Sequence, residues 1–107
     1  MDERRRFERV NVPDSARLHV MDASGKKLGK VKMLGRGGML FECTTPYASG
    51  SKQTFHICDD IEGIVHPVNT VVRYFTKEGV ACEFERLDVD AAVDLGVWIG
   101  KFYSAQK

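Results

Sequence analysis

The sequence predicts a mainly β protein, a small antiparallel barrel of six strands with one C-terminal α-helix packed at an open end. Three observations carry this. Apolar residues alternate with period two in short stretches along most of the chain, and turn signals, several of them glycine-rich, separate the stretches. After Asp88 the period lengthens to that of a helix. At 107 residues the chain can bury a single core, and short strands around one core favour a barrel.

Val10-Asn11-Val12-Pro13 reads as extended, because the residue before a proline is pushed out of the helical region. Ala16, Leu18 and Val20 then point inward, with Arg17 and His19 outward, up to a turn at Ser24-Gly25. Leu28 to Leu34 forms the next strand, with Val31 and Met33 on one face and Lys30 and Lys32 on the other. Gly35-Arg36-Gly37-Gly38 interrupts it, and such a glycine density implies positive φ or a surface that something approaches closely. Met39 to Cys43 resumes the strand pattern, and Thr44-Thr45-Pro46 ends it. After a turn at Ser49-Gly50 comes the short strand Thr54 to Ile57, then the acidic loop Asp59 to Gly63. Pro67 to Thr76 alternates, with Val68, Thr70, Val72 and Tyr74 on one face. Lys77-Glu78-Gly79 turns the chain into the return strand Val80 to Phe84.

In the last segment Asp88 is a good N-cap, and Asp90 and Asp94 suit the positive end of the helix dipole. Val89, Ala92, Val93, Gly96, Ile99 and Tyr103 recur on one helical face, with Leu95, Trp98 and Phe102 alongside. Gly96 and Gly100 each weaken a helix by about 1 kcal/mol relative to alanine, and close packing against the sheet is one reason to carry them. The expected organisation is a flexible arginine-rich arm over residues 1–12 and one barrel domain over 13–107, with its helix over 88–103.

Charge narrows the function. A net charge of +1 is too small for a general binder of nucleic-acid polymers, and it disfavours a barrel that binds RNA. Its distribution is uneven. Lys26, Lys27, Lys30, Lys32 and Arg36 fall between Ala23 and Phe41 with no acidic residue among them, which predicts a local positive face suited to a compact anion. Cys43, Cys58 and Cys82 are odd in number and widely spaced, and read as reduced thiols. Cys58 and His66 can meet across a hairpin, but His19, His56 and His66 lack metal-ligand spacing. There is no nucleophile elbow or P-loop, so an enzyme is not expected. No apolar run reaches the ~18 residues of a membrane span, and the charged N-terminus is unlike a signal peptide, so a cytoplasmic protein is expected.

Two segments far apart in sequence remain. Arg4-Arg5-Arg6-Phe7-Glu8-Arg9 places four guanidinium groups within six residues, each a planar fork that fits phosphate and stacks on a base. Met33-Leu34-Gly35-Arg36-Gly37-Gly38 leads into a strand. With a barrel, the return strand Gly79 to Phe84 and a terminal helix, they resemble the PilZ domain family over essentially the whole chain. In that family an R-x-x-x-R motif and a [D/N]-x-S-x-x-G motif bind the bacterial second messenger cyclic di-GMP. The first motif is present as Arg5 and Arg9, flanked by Arg4 and Arg6. In the second, Gly38 matches, but Met33 replaces Asp or Asn and Gly35 replaces Ser, so two polar side chains are missing. Arg36 lies inside the loop and is a candidate to compensate.

The resemblance implies a PilZ-like barrel acting as a cyclic di-GMP receptor in second-messenger signalling. Its arginine arm would order on the dinucleotide and change the surface shown to a protein partner. No cofactor, metal or membrane insertion is implied, and a monomer or weak dimer is expected. The alternative is a PilZ-like domain that has lost nucleotide binding and serves as a protein-interaction module.

Overall fold

The computed structural model describes residues 9–105. Its strands are β1 (Val10–Asn11), β2 (Leu18–Met21), β3 (Lys27–Leu34), β4 (Gly38–Phe41), β5 (Lys52–Asp59), β6 (Ile64–Thr76) and β7 (Gly79–Phe84), and the helix α1 spans Val89–Ala105. All pairings are antiparallel. The order β3-β2-β5-β6-β7-β4 closes on itself because β4 pairs with both β7 and β3, giving the expected six-stranded barrel. The additional strand β1 pairs with β3 at Val10↔Leu34 and Asn11↔Met33, where β2 no longer reaches. Val10 is buried, so the barrel begins inside the segment assigned to the arm.

Closure brings backbones into contact where only glycine fits. A Cβ at Gly38 would overlap the Cys82 carbonyl oxygen, one at Gly29 the Glu42 carbonyl oxygen, and one at Gly79 the Phe41 carbonyl oxygen. Of the two readings of the Gly35–Gly38 segment, close approach therefore holds at Gly38, and none of its glycines has positive φ. Gly79 does, at φ 128°, in the tight turn between β6 and β7.

Strand alternation delivers one continuous inner row, Val10–Leu34–Met39–Cys82–Val72, across β1, β3, β4, β7 and β6. All five residues are buried, and Phe41 and Phe55 pack edge to face beneath them at 5.0 Å. Two β-bulges correct the simple alternation. The register shifts between Val31 and Met33, so Val31 is buried while Met33 turns outward. It shifts again between Val72 and Tyr74, so Tyr74, expected beside Val72, is 53% exposed. β6 also starts earlier than expected, and Pro67 lies beyond the end of β7, where a missing N–H breaks no bond to that strand.

The helix starts as expected, with the Ala91 N–H donating to Asp88 Oδ1 at 2.8 Å. Its buried face, however, is Ala91, Leu95, Trp98, Ile99 and Phe102, whereas Val89 and Val93 lie in solvent. Polar anchors explain the rotation. The buried Asp59 accepts the Trp98 indole N–H at 2.9 Å through Oδ2, and its Oδ1 accepts the backbone N–H groups of Ile61 and Glu62. His66 Nε2 meets Asp94 Oδ2 at 2.6 Å, and its ring stands edge to face on Trp98. The larger apolar stripe thus faces the barrel with its one polar atom satisfied. Gly96 and Gly100 do not pack on the sheet: a Cβ at Gly100 meets nothing within 4 Å.

Cys43, Cys58 and Cys82 are free thiols, all buried. Cys58 pairs with Val65 while Ile57 pairs with His66, so Cys58 and His66 fall on opposite faces of the hairpin and do not meet. Burial pushes the Cys82 thiol up to about 12, offset in part by bonds involving Thr70 and Met39.

These features predict three stability results. Gly100→Ala should raise unfolding stability by about 0.5–1 kcal/mol in urea titration, since it gains helix propensity in open space. Asp59→Ala should lower stability by about 2–3 kcal/mol and shift the Trp98 fluorescence, because the buried indole N–H loses its acceptor. Because the folded thiol of Cys82 holds its proton up to about 12, its contribution is complete below the ordinary thiol range and is lost as pH rises towards that value. Stability should therefore fall in that alkaline window, less so in Cys82→Ala, as urea midpoints measured against pH would show.

Candidate functional site

The bulges that turn Met33 and Tyr74 outward create the outer counterpart of the core row. Asn11, Met33, Leu40, Ala81 and Tyr74 lie side by side across β1, β3, β4, β7 and β6. Four of them, Met33, Leu40, Ala81 and Tyr74, floor an open groove of about 600 Å³ on the barrel wall, to which Arg9, Gly35, Gly37, Gly38, Arg73 and Glu83 also contribute. A volume of this order suits a small organic ligand. The Gly35 N–H donates to the Gly38 carbonyl at 2.9 Å, which closes the β3–β4 hairpin and leaves the groove its glycine rim.

The groove gathers residues from both motif segments. Arg9, directly before β1, is exposed and lines it together with Met33, Gly35 and Gly38. Arg4, Arg5 and Arg6 lie outside the described residues. Arg36 takes a different course: its guanidinium nitrogens lie 3.8 and 3.9 Å from where a Cβ of Gly96 on α1 would stand, and it is not part of the groove lining. Its reach toward the helix follows from its place at the hairpin tip rather than on the outer row.

The lysine run is less available than its charge suggested. Lys30 pairs with Asp14 at 2.9 Å and Lys32 with Glu42 at 3.5 Å, and Lys30 holds the Asp14 carboxyl below its ordinary range. Among the described residues the basic side chains that line the groove are instead Arg9 and Arg73, the extra residue of the β6 bulge. Arg73 Nη2 lies 3.1 Å from Glu83 Oε2, and Glu83 pairs across the β4–β7 ladder with Gly38. Sequence reading missed Arg73, Tyr74 and Glu83 as groove residues. The one local signal was the Tyr74-Phe75 pair, since adjacent aromatics on a strand cannot both face inward.

The site is therefore an open, apolar-floored surface flanked by Arg9 and Arg73, with glycines at its rim. Such a surface can stack planar groups and pair with phosphates. Among the described residues no helix is long and apolar enough to cross a membrane. No curated protein matches the chain significantly. The family model of the PilZ domain matches residues 3–100, which takes in both motif segments, the closed barrel and most of α1. That family is one of binding domains, typically receptor modules for cyclic di-GMP, and this chain belongs to it.

Proposed function

We propose that the outer groove binds cyclic di-GMP and that the chain acts as a receptor for this second messenger in the bacterial cytoplasm. The observation that carries the reading is the convergence of Arg9, Met33, Gly35 and Gly38, from segments far apart in sequence, around one groove. The dinucleotide offers two phosphates and two purine faces. Arg5 and Arg9 would fork onto phosphate or guanine acceptors and stack on the bases, with Arg4 and Arg6 adding charge around them. Leu40 and Ala81 supply an apolar floor, and Gly35, Gly37 and Gly38 leave the groove's rim without side chains. The arm carrying the arginines takes one conformation over the ligand, which changes the surface offered to a protein partner.

A second reading, a PilZ domain that serves as an interaction module without nucleotide, draws on two observations. Met33 and Gly35 bring no side-chain donor or oxygen acceptor to the groove. Val89, Val93 and Val97 form an exposed stripe on α1, between 57% and 77% accessible.

Titration calorimetry with cyclic di-GMP separates the two. The receptor reading expects measurable heat, with Arg5→Ala and Arg9→Ala each weakening binding by about 1.5–3 kcal/mol, roughly ten- to 150-fold. Absence of heat at high-micromolar protein and ligand would favour the interaction module. Undiminished affinity in both variants would place the ligand away from the arm.

A further inference from the structure

Three charged side chains line the groove among the described residues, and Glu83 is the one carboxylate. An acidic group is unexpected in a site for a ligand with two phosphates, unless it has a task of its own. Its position suggests one. Glu83 lies directly across from the motif residue Gly38 in the β4–β7 register, and both line the groove. It is 55% exposed, so its carboxylate can turn toward an occupant of the groove. Arg73, 3.1 Å away, offsets its charge and reduces its repulsion of phosphate. Meanwhile Met33 and Gly35 leave the opposite side without a side-chain acceptor for a base edge, apart from a weak thioether.

Guanine presents two parallel donors, N1–H and N2–H, on its Watson–Crick edge, and a carboxylate accepts both through its two oxygens. Adenine presents an acceptor at N1, which a carboxylate repels. We propose that Glu83, held in place by Arg73, reads the guanine edge of the bound dinucleotide and stands in for the polar side chains absent at positions 33 and 35. This rests on the cyclic di-GMP reading and adds a base-selecting residue on the β6–β7 wall, outside both motif segments. Arg73 is a positioning residue in this scheme, and Glu83 touches the ligand.

Calorimetry of the full chain with cyclic di-GMP and cyclic di-AMP tests it, using the unmodified protein, Glu83→Ala and Glu83→Gln. Thermal melting of each variant checks that the fold is intact, as expected for a half-exposed strand residue. The unmodified chain should prefer cyclic di-GMP, and Glu83→Ala should bind it about tenfold or more weakly, as for loss of a charge-assisted pair. Glu83→Gln should go further and lower the guanine-to-adenine preference, because an amide matches the donor–acceptor pair on the adenine edge. A purely structural role would not move that ratio. If the unmodified chain binds cyclic di-GMP, and both variants keep its affinity and base preference within about twofold, the inference is overturned while the receptor reading stands. Equal affinity of the unmodified chain for the two dinucleotides also overturns it. No binding of cyclic di-GMP at all removes the receptor reading, and this inference with it.

Discussion

Barrel closure through β4 is the constraint on which the remaining structure depends. This four-residue strand must pair with β3 on one side and β7 on the other, or the sheet is left with two open edges. The fit is close enough that side chains are excluded at Gly29, Gly38 and Gly79, each of which faces a carbonyl oxygen where its Cβ would stand. Two of those carbonyls, Glu42 and Phe41, belong to β4 or the residue after it, and Gly38 is its first residue. Closure thus sets the core and the groove together. The same strand places Met39 and Phe41 inside and Leu40 on the groove floor.

The β-bulges convert this geometry into the outer groove. An extra residue at Lys32 and another at Arg73 bend β3 and β6 on either side of the β4–β7 pair. Each turns outward a residue that regular alternation would bury, Met33 on one wall and Tyr74 on the other. Bulges at the same places leave Arg73 able to reach Glu83 across the ladder. The groove wall is therefore not an addition to the barrel but a consequence of how its strands accommodate curvature.

At the far end, the Asp59–Trp98 bond and the His66–Asp94 contact fix which stripe of α1 is buried. This decides what remains outside. Gly96 and Val97 face away from the barrel, and Arg36 reaches from the groove's hairpin to Gly96. The motif loop and the outer face of the helix are thus neighbours.

Much of this was legible in the order of residues, because strands, turns and caps are local. Period-two alternation located six of the strands, Asp88 marked the helix start, and the glycines before Met39 marked a close approach. The arginine and glycine segments were marked as well, and Arg9, Met33, Gly35 and Gly38 from them line one groove. Bulge positions, the buried helix face and the pairing of Arg73 with Glu83 were not legible. Each depends on which strands become neighbours, and a shift of one residue in register reverses the face of every residue that follows. Residue order specified the elements and the chemistry available. Closure of the sheet selected which of those groups share a surface, because that depends on contacts between segments distant in the chain.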